Sequence, residues 1–252
     1  MTPNDSAETR VTGTGGAPTI LAIDTTSEFG GVALRAGGKL IAERRMHAPD
    51  GFSQVLFFEI QQLFAQSAPI GVREVDCFAS AAGPGSFTGV RVGLAAAKGL
   101  AEANRKPIAA VSNLRALATF GTRARRMVLL DARRGEVYAA VYDEHLNCVS
   151  PEIVMALPRW LEMVAAAFGE ANSGEAEEDS GLEFVTFAGA PFRMALSGTR
   201  WAKAPWVEAP RGLAAAIGFC AEADYRAGRT GDPALADANY VRRSDAELFW
   251  KG

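Results

Sequence analysis

The sequence predicts an α/β fold. In the first half, short apolar runs alternate with helical stretches in the order βββαβαβα. A strand–turn–strand pattern then recurs. With Asp24 aligned on Asp131, Val32 and Leu34 match Ala139 and Val141 at the same offsets of eight and ten, a spacing of 107 residues. Strand–turn–strand is a common unit, so the residues alone leave duplication and coincidence equally open. The 252 residues are 48% apolar and 22% charged, an ordinary globular balance with enough chain for one large domain or two small ones.

Each element has a local reason. Residues 1–18 are polar and rich in Thr and Gly, and read as a disordered tail. Residues 19–24 (TILAID) are a short apolar run, read as a buried strand that ends in the polar turn Thr25-Thr26-Ser27. Residues 30–35 and 39–44 are strands joined by Gly37-Gly38, a hairpin signal. Pro49, Asp50 and Gly51 break the pattern, and Ser53 is placed to cap a helix running to residue 67. A strand over 75–82 leads into a tight loop over 83–89 and a helix over 90–103. Residues 108–111 are a strand, after which Ser112 caps a short helix.

The second half begins with a strand over 127–131, a turn over 132–135 and a returning strand over 136–142. Beyond Pro151 the signals thin. Helices are expected over 158–168 and 211–227, and a strand over 183–188. Residues 170–181 are acidic and small, the composition of a mobile surface loop. Residues 239–250 are expected to be extended and docked on the body.

The net charge of −3 argues against a protein held to nucleic acid by its own positive field. No apolar run approaches the roughly 18–20 residues that span a bilayer. Cys77, Cys148 and Cys220 lie far apart and are odd in number, as expected of reduced thiols in the cytoplasm. With only His47 and His145, a His-rich metal site is not expected.

Several motifs bear on chemistry. Asp24 directly follows a buried strand, where a carboxylate holds either magnesium and phosphate or merely its own turn. The loop Gly83-Pro84-Gly85-Ser86-Phe87-Thr88-Gly89 sits between strand and helix, a place where backbone N–H groups cradle anions. Its spacing is neither a Walker loop nor a dinucleotide fingerprint nor a nucleophile elbow. Close backbone packing explains it as well as phosphate does. No histidine lies nearby to activate Ser86, which leaves a protease without support.

On the helix over 90–103, Arg91, Lys98, Glu102 and Arg105 fall within one sector of about 60°. The apolar remainder needs cover on more than one side, and Gly93 and Ala97 suit close approach. On the helix over 53–67, Leu56, Phe57, Ile60, Leu63 and Phe64 form the expected core stripe, while Val55 and Phe58 point away from it. Two neighbouring helices with surplus apolar surface suggest a protein interface. Arg133 and Arg134 in the turn after Asp131 are suited to phosphate or to solvent. Arg123, Arg125 and Arg126, and the pair Arg242-Arg243, read as solvated charge ahead of RNA contacts.

Residues 20–26 (ILAIDTT), 83–101 (GPGSFTGVRVGLAAAKGLA), 131–142 (DARRGEVYAAVY) and 240–243 (YVRR) together resemble the TsaB family, over about residues 19–245. The resemblance implies an actin-like ATPase (ribonuclease H-like) fold with two related subdomains, each a mixed sheet flanked by helices. These would be residues 19–115, carrying the partner-binding helices, and 116–252. It implies a non-catalytic dimerisation subunit that pairs with the catalytic subunit TsaD. The ATPase TsaE joins them, and the complex makes threonylcarbamoyladenosine beside the tRNA anticodon. The expected interface residues are Val55, Phe58, Gly93, Ala96, Ala97 and Leu100. Asp24, Thr25, Gly83, Gly85 and Ser86 become a vestigial phosphate site. ATP and metal belong to the partners, tRNA is met through the complex, and no membrane is involved. Whether the free chain homodimerises through the same helices is left open.

The catalytic relatives carry a His-x-x-x-His metal motif on the first long helix, whereas residues 51–60 contain no histidine. Family members often start that helix with His-Ser/Thr-Glu/Gln, and this chain has Phe52-Ser53-Gln54. The competing class is a phosphotransferase or ATPase of the same fold using Asp24 and the Gly-rich loop.

Overall fold

A computed structural model describes residues 16–168 and 181–241. The tail before residue 16, most of the acidic stretch 170–181 and the segment after 241, Arg242-Arg243 included, lie outside the described residues.

Two five-stranded mixed sheets form the body. The first contains β1 (Ile20–Asp24), β2 (Phe29–Ala36), β3 (Lys39–His47), β4 (Cys77–Gly83) and β5 (Ile108–Ser112), in the order β3-β2-β1-β4-β5. The second contains β6 (Arg125–Asp131), β7 (Glu136–Asp143), β8 (Cys148–Ala156), β9 (Leu182–Thr186) and β10 (Trp206–Glu208), in the order β10-β9-β6-β7-β8. Each sheet starts with an antiparallel hairpin, and its first strand runs parallel to its fourth. The topologies are the same, and Asp24 and Asp131 end equivalent strands, which supports a structural repeat. The 107-residue alignment does not hold through the register: Val32 pairs with Ile23, one residue before Asp24, whereas Ala139 pairs with Leu129, two before Asp131.

Among the described residues there are six α-helices: α1 (Leu56–Gln66), α2 (Phe87–Asn104), α3 (Asn113–Ala118), α4 (Leu157–Phe168), α5 (Gly189–Leu196) and α6 (Ala214–Arg226). β1 shows how the layers arise. Leu21 and Ile23 pack outward under α1 and α2, with Leu56, Ile60, Leu63, Leu94 and Ala97. Ile20 and Ala22 pack inward, against Leu114, Leu117 and Ile217 of α3 and α6. A strand covered on both faces is apolar throughout, as TILAID is. α3 also touches β6, β7 and β9 of the second sheet, and α6 packs on α3, so the two lie in a central layer whose core takes in Val128, Ala140 and Val185. On the far side, α4 buries Trp160 completely against the second sheet.

Several boundaries differ from expectation. Ser53 is exposed and caps nothing; the N–H groups of Val55 and Leu56 both close onto the Phe52 carbonyl, and α1 starts at Leu56. α2 starts at Phe87, three residues early, because the Ser86 hydroxyl accepts the Gly89 N–H at 3.3 Å. β8 escaped prediction because Pro151 interrupts it, which an edge strand tolerates. α5 and β10 are too short to show a period. α6 comes late in the chain yet packs back against β1, β2 and β4 of the first sheet.

Candidate functional site

The equivalent turns after β1 and β6 meet across a cleft of about 540 Å³, lined by Thr26, Ser86, Asn113, Asp131, Arg133 and Arg211 among others. The expected phosphate positions gather at its first-sheet wall, where their polar atoms are turned on one another.

Asp24 is 2% exposed. One carboxylate oxygen accepts the Thr26 N–H and hydroxyl at 3.0 and 2.7 Å, and the other accepts the Leu213 N–H at 2.7 Å. Burial pushes its pKa up, against the opposing pull of these hydrogen bonds. The Thr25 hydroxyl donates to the Gly89 carbonyl at 2.7 Å, and the Ser86 N–H donates to the Thr26 carbonyl at 2.7 Å. Gly83 has φ +101°, and its N–H donates to Asn113 at 2.9 Å; the Asn113 amide in turn donates to the Thr26 hydroxyl at 2.5 Å. The Asp24 carboxylate, the Thr25 and Thr26 hydroxyls and the Gly83 and Ser86 N–H groups are all engaged within the chain, and Asp24 holds its own turn to the start of α6.

The loop glycines explain themselves in the same way. A Cβ on Gly85 would stand 2.7 Å from the Thr26 carbonyl oxygen, and one on Gly89 only 2.0 Å from that of Thr25. The G-x-G-x-x-x-G spacing lets α2 lie directly on the β1–β2 turn. Gly89→Ala is expected to lower stability by about 1–3 kcal/mol, read from the urea midpoint.

The raised pKa of Asp24 also has a consequence with a definite sign. A folded-state pKa above the unfolded one favours folding at low pH, and that contribution is lost as pH rises through the raised value. Wild type should therefore lose stability relative to Asp24→Asn as pH is raised from about 4 toward neutrality. Urea denaturation of both proteins across that range checks this; a constant difference would contradict it.

On the opposite wall, Asp131 accepts the Arg133 N–H at 2.8 Å in a local turn. Arg133 and Arg134 both take left-handed backbone, with φ 64° and 56°. Among the described residues, no group of three or more His, Cys, Asp or Glu could hold a metal ion. Of the three arginines read as solvated charge, Arg126 is in fact 9% exposed, and Arg125 stacks on Phe168.

The helices over the first sheet offer the candidate interface. Leu56, Ile60 and Leu63 bury one face of α1, and this phase leaves Val55, Phe57 and Phe58 39%, 55% and 57% exposed. Phe57 was expected in the core stripe and is instead part of an exposed ridge. α2 also corrects the expectation. A Cβ on Gly93 would meet the Thr25 hydroxyl at 2.5 Å, Ala97 is fully buried and Ala96 is 8% exposed. These three positions face the protein and present no docking surface. The second side of α2 is covered by the chain's own strap over 233–238. Lys98 donates to the Ala234 and Ala236 carbonyls at 3.4 and 2.9 Å, while Ala236 and Ala238 pack alongside. Val55 and Phe58 remain outward and Leu100 is half-buried. The expected stripe was too wide: Phe57 lies about 100° from Leu56, at the edge of the face that Leu56, Ile60 and Leu63 bury. Exposed Leu40 and Ile41 on β3 and Phe87 on α2 were also missed.

Two sheets of one topology, separated by central helices and with a cleft between equivalent turns, define the actin-like ATPase (ribonuclease H-like) class. The family described as "TsaD: tRNA N6-adenosine threonylcarbamoyltransferase" matches residues 47–226, and the chain belongs to it. Among its relatives are the proteins named tRNA threonylcarbamoyladenosine biosynthesis protein TsaB. That of Bacillus subtilis is 36% identical over 151 residues, 58% of this chain and 66% of the relative. That of Escherichia coli is 36% identical over 132 residues, 51% of this chain and 56% of the relative. The matched regions thus span about half to two thirds of these curated relatives. A Pseudomonas aeruginosa crystal structure, titled as an uncharacterized protein with similarity to peptidase YEAZ, superposes with TM-score 0.71 at 24% identity. It covers 89% of this chain and 100% of its own, and it supports the fold. Among the described residues, no helix is long and apolar enough to cross a membrane.

Proposed function

We propose that this chain is the non-catalytic scaffold subunit of a tRNA threonylcarbamoyladenosine synthase complex, pairing with a TsaD-type transferase. The observation that carries this reading is the exposed ridge of Val55, Phe57 and Phe58 at the start of α1, beside a cleft wall whose Asp24 carboxylate and Thr25 hydroxyl bond within the chain. Apolar aromatic anchors on an otherwise ordinary surface mark docking sites. The names of the TsaB relatives supply the pathway. In this reading the partners handle ATP and metal, TsaE joins the pair, and tRNA is engaged by the assembly in the cytoplasm.

Light scattering on the purified chain, alone and mixed with TsaD from the same cell, tests it. A species at the summed mass, and tRNA modification that requires both proteins, is the expected result. No complex at tens of micromolar, with or without nucleotide and TsaE, overturns it. Magnesium-dependent ATP turnover by the isolated chain, lost in Asp24→Ala, would favour a phosphotransferase or ATPase instead.

A further inference from the structure

The cleft between the two sheets has a second character beside the engaged atoms of Asp24, Thr25 and Thr26. Its rim charges are paired. Arg211 lies 3.6 Å from Glu28, and Arg133 lies 3.6 Å from Asp131. Its lining includes Leu130, Tyr138, Phe187 and Phe192, all half-buried, together with Pro84 of the Gly-rich loop. A concave surface lined by aromatic side chains, with matched charges at its edge, suits an apolar occupant.

Three stretches of the chain lie outside the described residues: 1–15, 169–180 and 242–252. The first two contain no aromatic residue. The third reads RRSDAELFWKG and sets Leu248, Phe249 and Trp250 in a row. The described chain arrives at that segment along the edge of the cleft. The Asn239 N–H donates to the Ala82 carbonyl at 2.8 Å, and a Cβ on Gly83 would stand 3.3 Å from the Asn239 carbonyl oxygen. Tyr240 packs on Phe87, with ring centroids 6.1 Å apart. Pro84, Gly85 and Ser86, which lie between those two contacts, line the cleft. From Val241 to Leu248 the chain reaches at most about 25 Å, several times the width of a cleft of about 540 Å³.

We propose that Leu248, Phe249 and Trp250 dock in this cleft of their own chain, against Leu130, Phe187 and Phe192. The cleft is then a receptor for a short aromatic peptide, held in cis. The test uses the full chain, a full-length triple variant (Leu248→Ser, Phe249→Ser and Trp250→Ser), and a labelled peptide of residues 242–252 followed by fluorescence anisotropy. The triple variant should bind the peptide saturably at one site. Wild type should bind it about tenfold more weakly or worse, because its own tethered segment competes at an effective concentration of about millimolar. Phe192→Ala added to the triple variant should weaken binding about tenfold or more, and Phe58→Asp added instead should change nothing. Hydrogen exchange over residues 186–192 should be slower in wild type than in the triple variant, which locates the segment without any change to the cleft. The proposal fails if the triple variant shows no saturable binding up to millimolar peptide, or if wild type and the triple variant bind it equally. Equal exchange over residues 186–192 in the two proteins also overturns it. Loss of binding with Phe58→Asp would put the segment on the α1 ridge and equally overturn it. A wild-type dimer in sedimentation that the triple variant lacks would make a second copy's segment the occupant, and would overturn docking in cis.

Discussion

Ala97→Glu is expected to destabilise the folded chain by about 4 kcal/mol or more. Ala97 is fully buried in the cluster that joins α2 to Leu21, Ile23 and Phe78 of the first sheet. A glutamate there either buries an unpaired charge or forces α2 off β1 and β4. Folded domains are stable by only about 5–15 kcal/mol, so the loss is a large fraction of the whole. Ala95, two residues earlier, is exposed. Ala95→Glu should shift stability by no more than about 0.5 kcal/mol. Urea midpoints of the two variants check both statements. A wild-type midpoint for Ala97→Glu would mean that α2 presents its small-residue face outward after all.

Phe58→Asp is expected to behave in the opposite way, leaving the fold intact and removing the partner. Its ring is 57% exposed on a helix already anchored by Leu56, Ile60 and Leu63, so the monomer loses little. An aromatic anchor at the centre of an interface is worth about 2 kcal/mol or more, roughly a thirtyfold loss of affinity or greater. Sedimentation of the chain with TsaD should show the complex for wild type and not for Phe58→Asp, with urea midpoints matching. Met194→Asp, at a 76% exposed position on α5, is the control and should pair normally. Normal pairing by Phe58→Asp would remove α1 from the interface.

The contrast between Ala97 and Phe58 shows where sequence reasoning stops. Helical angles found that α2 carries more apolar surface than one sheet can cover. They could not name the second cover, because the strap over 233–238 lies about 135 residues downstream, its Ala234 and Ala236 carbonyls joined to Lys98. On α1 the angles placed Phe57 at the edge of the apolar stripe, about 100° from Leu56, and only packing shows that the buried face stops at Leu56, Ile60 and Leu63. The Gly-rich loop was equally readable as a phosphate cradle or a packing surface. The Thr25 and Thr26 carbonyls, brought against Gly89 and Gly85, account for those two glycines by packing.

The strands of both hairpins and most of the helices were legible in the sequence, whereas the repeat became clear from the shared strand order of the two sheets. The strands and helices rest on local causes: apolar period, glycine turns and hydroxyl caps act within a few residues. The sequence also carried the family resemblance, in segments whose spacing few other folds share. Only the tertiary structure decided which apolar faces are covered, that Asp24 has no free oxygen, and that Arg115, Arg126 and Arg229 share one cavity. Those outcomes depend on contacts between residues far apart in the chain, such as Asp24 with Leu213 and Arg115 with Asp224. No local pattern encodes such a pairing, because burial and hydrogen-bond satisfaction are properties of the packed whole.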